Sequence, residues 1–221
     1  MKLLVIVIGV LGALYWVKGE WSRHKAVTAA LEITRSVGAL TPTTKMTIYD
    51  VPGNRAGHYL IENLKMRGLS ADLKQVIGAN EVLALPAYKA FVARGVSSTT
   101  RLELPIVSFE NGQGLDLKTF EAMILKMPVT DPHPGRKGPY VVVYGVNGCS
   151  FTKASMNALN AKGIAFEYLD LNSNPAFGAQ ALAHMVASGF KADAFATPVV
   201  EVNGYARPRL DAAEVETRFK K

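Results

Sequence analysis

The sequence predicts an α/β protein made of one unit written twice, each copy a mixed central sheet flanked by helices, after an N-terminal hydrophobic helix. Three observations predict it. Residues 45–76 lie over 140–171 without a gap: Tyr49 falls on Tyr144, Val51 on Val146, Gly53 on Gly148, Leu64 on Leu159 and Gly68 on Gly163. Later marks keep the same order, with Leu104-Pro105-Ile106-Val107 matching Thr197-Pro198-Val199-Val200 and Asn111-Gly112 matching Asn203-Gly204. Within the second copy, short apolar runs alternate with helical stretches. A period of about 95 residues indicates duplicated domains, whereas a solenoid repeats every 20–50 residues.

Taken in order, residues 1–22 read as a membrane anchor. Leu3 to Val17 is uninterrupted apolar chain, 15 residues long. As a helix it spans roughly 22 Å, short against a hydrocarbon core of about 30 Å. Lys2 and Lys18 can snorkel, and Tyr15, Trp16 and Trp21 suit an interface. A cleaved signal peptide and a buried helix are the rival readings; no good small-residue cleavage site follows the run. Lys18, Arg23, Lys25 and Arg35 follow it, so the positive-inside rule favours cytoplasmic domains, with the periplasmic or extracellular side left open.

Residues 23–44 connect the anchor to the first copy, 45–127. Met127 to Pro139 holds four prolines and two glycines, which can continue neither a helix nor a central strand. Residues 128–139 are therefore a Pro/Gly linker, expected to be extended. The second copy, 140–221, predicts a strand at Tyr140–Val146 buried on both faces, a helix at Ser150–Ala161 stopped by Gly163, and a strand at Phe166–Leu171. A helix at Pro175–Ala187 has proline in its first turn. Strands at Val199–Val202 and Tyr205–Arg207 follow, then a helix from Asp211, its N-cap, to Phe219.

Net charge is +7, but no basic stripe carries interleaved aromatics, which argues against nucleic acid as a partner. A basic surface beside a membrane suits anionic lipid. One cysteine excludes an intramolecular disulfide and a Cys-x-x-Cys pair. Four scattered histidines offer no metal-ligand spacing, so no metal site is expected.

That cysteine, Cys149, lies where the strand Val141–Val146 gives way to the helix beginning at Ser150. A thiol at a helix N-terminus faces unpaired N–H groups and the positive end of the helix dipole, both of which favour thiolate. A lone cysteine is otherwise a small buried hydrophobe. The first copy has Asn54 at this position, and an amide is no nucleophile. His58 and Tyr59 beside it read as structural or surface residues.

Residues 140–219 resemble the glutaredoxin branch of the thioredoxin fold, with a degenerate echo over 45–126, giving two tandem thioredoxin-like domains. Cys149 opening the first helix, Thr197-Pro198 before the third strand, and Asn203-Gly204 before the last helix carry the resemblance. The family implies thiol–disulfide chemistry with glutathione as co-substrate and no tightly bound cofactor. The motif Cys149-Ser150-Phe151-Thr152 has threonine at the second cysteine position, which implies a monothiol route through Cys149 with Thr152 as a hydrogen-bond donor. Pro198 is implied to be a cis-proline, as is Pro105 in the first copy. Thr197 and Pro198 are implied to present backbone to the substrate, and Asp211 to bind a γ-glutamyl amino group. Val146, Gly148 and Pro208-Arg209 depart from the family pattern; Arg207 or Arg209 offers a carboxylate site instead. The expected function is a membrane-anchored thiol–disulfide oxidoreductase acting on protein–glutathione mixed disulfides. The alternatives are a non-catalytic scaffold for client proteins and iron–sulfur cluster handling between two molecules.

Overall fold

The computed structural model describes residues 40–93, 104–132, 136–190 and 196–220. The run Leu3–Val17 lies outside the described residues, among which no helix is long and apolar enough to cross a membrane.

The first unit runs β1 (Met46–Asp50), α1 (Arg55–Lys65), β2 (Asp72–Gln75), α2 (Ala79–Ala84), α3 (Pro86–Ala93), β3 (Ile106–Phe109), β4 (Gly114–Asp116) and α4 (Leu117–Ile124). The second runs β5 (Val141–Gly145), α5 (Ser150–Ala161), β6 (Glu167–Asp170), α6 (Pro175–Ala187), β7 (Val199–Val202), β8 (Tyr205–Pro208) and α7 (Ala212–Phe219). Each forms a four-stranded mixed sheet, in the orders β2-β1-β3-β4 and β6-β5-β7-β8. The first strand of each pairs in parallel with the second and antiparallel with the third. The residues that superpose in sequence therefore occupy the same places in two sheets of one topology.

Burial explains the strands. All five residues of β5 are buried. Alternate side chains point to opposite faces. Val141 and Val143 pack with Leu159 of α5 and Val215 of α7, while Val142 and Tyr144 pack with Ala181 and Met185 of α6. The strand is one residue shorter at each end than its apolar run predicts. It stops at Gly145 because the Val146 carbonyl turns to accept the Cys149 N–H at 3.1 Å. That turn needs Gly148 at φ +88, as the matching turn in the first unit needs Gly53 at φ +77. These are the glycines that align in sequence.

The described residues of the Pro/Gly linker are exposed, and they are tied to both units. The Thr130 and Asp131 N–H groups both donate to the Met66 carbonyl in the first unit. Pro132 packs so closely on Gly204 in the second unit that a Cβ at 204 would lie 2.5 Å from it. The extended spacer expected from composition is thus fastened at both sides.

The units meet along α1 and α6. Ala179 and Ala183 of α6 join the core of the first unit with Leu60, Leu64 and Met66, and Leu182 touches the cores of both units. Small residues let the helices approach closely. On its other side α6 is fixed by a buried polar cluster. The Glu201 carboxylate of β7 accepts from the Tyr140 hydroxyl at 2.8 Å and the Tyr144 hydroxyl at 2.9 Å, and lies 2.6 Å from His184 Nδ1 of α6. Burial, then the nearby Glu201, pushes both tyrosines well above their ordinary pKa. Removing the shared acceptor strands these groups in the core. Glu201→Ala should lower unfolding free energy by about 3 kcal/mol, read as a fall in the urea midpoint.

Candidate active site

Cys149 is the N-cap of α5, with extended backbone (φ −68°, ψ 122°), and its side chain makes no cap hydrogen bond. The first-turn N–H groups, which have no carbonyl partner inside a helix, are left facing the sulfur. Thr197, in the turn before β7, brings its hydroxyl to 3.6 Å from Cys149 Sγ. The peptide between Thr197 and Pro198 is cis, and Pro198 is buried behind it. Thr152, one turn into α5, is buried, and its hydroxyl has no hydrogen-bond partner in the protein. A thiolate supplies the missing acceptor.

These donors act in one direction. The Thr152 N–H, followed by the hydroxyls of Thr152 and Thr197 and the Phe151 N–H, lowers the Cys149 pKa to about 7, against a small opposing effect of burial. The thiol is partly exposed, so the ion is also reachable. Cys149, Thr152 and Thr197 are therefore brought together around one sulfur, with Pro198 next to Thr197 in the chain.

The two arginines part company. Arg209 sits at φ +51, and its N–H donates to the Pro198 carbonyl at 2.8 Å. Its guanidinium stacks over the exposed ring of Phe151, 4.1 Å from the centroid. A cation is thereby held beside the residue two positions after the cysteine. Arg207, on β8, turns to the Tyr205 hydroxyl at 3.3 Å. Asp211 caps α7: its Oδ1 accepts from the Ala213 and Glu214 N–H groups at 2.9 and 2.8 Å.

Three participants were not singled out from sequence. Phe151 supplies the platform for Arg209. Asn147 donates to Asp170 at 2.6 Å and accepts from the Tyr168 hydroxyl at 3.2 Å, tying the loop before Cys149 to β6. Gly145, four residues before the cysteine, touches Thr152. Phe151 alone had a visible signal, as an aromatic inside the Cys149–Thr152 motif.

The first unit builds the same junction differently. Asn54 caps α1 by accepting from the Ala56 N–H at 3.2 Å, and its amide donates to Asp50 Oδ1 at 2.7 Å. Asp50 Oδ2 accepts the Gly57 N–H at 2.7 Å. An internal carboxylate thus fills the helix N-terminus. Tyr59 is buried and donates to Glu121 at 2.6 Å, a structural role. Among the described residues no cluster of histidine, cysteine or acidic side chains is arranged to hold a metal ion.

No protein-family model, curated protein or solved structure matches the chain.

The rate of Cys149 alkylation should be half-maximal near pH 7 and fall about tenfold per pH unit below it, because only the thiolate reacts. Thr197→Val should move the midpoint upward by removing a donor that favours the ion. An alkylation profile against pH checks both.

Proposed function

We propose that this chain is a membrane-anchored, monothiol, glutaredoxin-like thiol–disulfide oxidoreductase of two tandem thioredoxin-like domains, the second of which carries the chemistry. The observation that carries this reading is the Cys149 sulfur at the start of α5, ringed by the Thr152 N–H and by the hydroxyls of Thr152 and Thr197. Two cis-prolines at matching places before the third strand of each unit support the fold assignment.

The Cys149 thiolate attacks the glutathione sulfur of a protein–glutathione mixed disulfide. The S–S bond breaks, the protein leaves as thiolate and takes up a proton, and Cys149 is joined to glutathione. The thiolate of a second glutathione then attacks the glutathione sulfur of that disulfide. Oxidised glutathione leaves and the Cys149 thiolate returns. One disulfide is reduced and one is formed, so electrons balance. Thr152 and Thr197 hold the sulfur as an anion before attack and stabilise it as a leaving group in the second step. Arg209, steadied by Phe151, supplies a cation for a carboxylate of glutathione. Arg207 and Asp211 bound the same end of the sheet, with Asp211 Oδ1 already engaged in its cap.

The first unit lacks a thiol and packs α1 against α6, which suits a supporting role. Leu3–Val17 supports attachment to a membrane, with glutathione and protein disulfides as partners on the side where the domains lie.

Cys149→Ser should abolish exchange with a glutathionylated peptide, while Asn54→Ala retains it. Arg209→Ala should raise KM for that peptide roughly fivefold with kcat less affected, the effect of one exposed ion pair. Steady-state kinetics with glutathione as reductant decides; an active Cys149→Ser would sink the reading. For localisation, the full-length chain should sediment with membranes and keep Leu3–Val17 on N-terminal sequencing. A soluble chain beginning after that run would overturn the anchor.

A further inference from the structure

The space between the end of the first strand and the first turn of the helix is filled in opposite ways in the two units. In the second unit the strand offers Gly145 and the helix offers Thr152. A Cβ on Gly145 would lie 2.4 Å from Thr152 Cγ2 and 2.8 Å from its Oγ1, closer than such atoms can approach. Any other residue at 145 must push Thr152 away. In the first unit the strand offers Asp50 and the helix offers Gly57, where a Cβ would lie 2.6 Å from Asp50 Oδ2. In each unit the glycine is the condition for the other residue's side chain.

The chemical consequences differ. Asp50 places an acceptor in the gap and takes the Gly57 N–H at 2.7 Å. Thr152 places a donor there, its hydroxyl buried and without a hydrogen-bond partner, and this hydroxyl and the Thr152 N–H both favour the Cys149 thiolate. A negative charge in the gap would oppose a thiolate at the neighbouring cap, whereas a hydroxyl supports one.

We propose that Gly145 is the positioning residue of the Cys149 site: its missing side chain seats the Thr152 hydroxyl against the sulfur, and Asp50 in its place makes the first unit unable to support a thiolate whatever residue stands at 54. This rests on Cys149 being the reactive group, but it concerns ionisation alone and can be tested without a disulfide substrate. Tyr168 and Asp170 on β6, Lys153 on α5 and Arg209 after β8 are titratable or charged groups on the elements around the site, and all stay constant in the test.

The test measures the Cys149 ionisation midpoint in the full-length chain, by thiolate absorbance and by alkylation rate against pH. Gly145→Ala and Thr152→Ala should each raise it by about one pH unit, the effect of one hydrogen bond to a charged group. Gly145→Ala/Thr152→Ala should raise it no further than Thr152→Ala alone, because Gly145 acts through Thr152. Thr152→Ser should restore a low midpoint. An unchanged midpoint in Gly145→Ala, or additive shifts in the double variant, would overturn the proposal. A second arm covers failure of those variants to fold. In the Cys149→Ser background, Asn54→Cys should ionise at or above the ordinary value of about 8.5. Asp50→Gly/Asn54→Cys/Gly57→Thr should ionise at least about tenfold more readily at neutral pH. Equal midpoints in these two would also overturn it. Loss of disulfide exchange with the midpoints behaving as stated would count against the proposed function and leave this inference standing.

Discussion

The N–H groups that open α1 and α5 have no carbonyl partners within their helices, and each needs an acceptor or water. Much of what distinguishes the two units follows from how that need is met. In the first, Asp50 and Asn54 close the helix start with their own oxygens, and the junction is complete without any ligand. In the second, the Cys149 side chain makes no cap hydrogen bond, and the first-turn N–H groups favour its thiolate. The same backbone path gives one unit a sealed end and the other an end stabilised by ionisation. A residue difference at the cap is visible at once; the difference in who fills the gap behind it is the more consequential one.

The architecture was legible because its causes are local and repeated. Gly53 and Gly148 recur since both turns need a left-handed residue, and Val141-Val142-Val143-Tyr144 reads as a strand because both of its faces are covered. The bounds of α5, α6 and β7 follow from Cys149, Pro175 and Pro198, each of which punctuates the chain by its own geometry. The site was legible as far as the motif reaches, through Cys149, Thr152, Thr197 and Pro198. Gly145 was not, because a missing side chain is informative only once its neighbour's position is known. The Glu201 cluster was not either: Tyr144, His184 and Glu201 come from three elements and Tyr140 precedes β5, and only the sheet register with the packing of α6 brings them to one point. The same holds for the linker, whose prolines exclude secondary structure but say nothing of Met66 or Gly204, to which it is fastened.

Helix α6 belongs to two environments. Its one face carries Ala181 and Met185 toward the second sheet, and its other face carries Ala179 and Ala183 into the core of the first unit. Leu182 reaches both. Arg55, the first residue of α1, lies over Gly178, so the sealed junction of the first unit abuts the helix that backs the second sheet. Separating the units would expose that alanine face to water, and α6 would then be held from its other face only, by the packing of Ala181 and Met185 and by the contact of His184 with Glu201. The first unit therefore contributes to the scaffold under Cys149 even though it contributes nothing to the sulfur.

Cys149 being the one cysteine in 221 residues has a kinetic corollary. A disulfide that this sulfur forms with another molecule has no second thiol in the chain to cleave it. Its lifetime is set by the concentration of external thiol and by how readily the Cys149 thiolate leaves. With no resolving residue in the chain, an adduct on Cys149 persists until an external thiol attacks it.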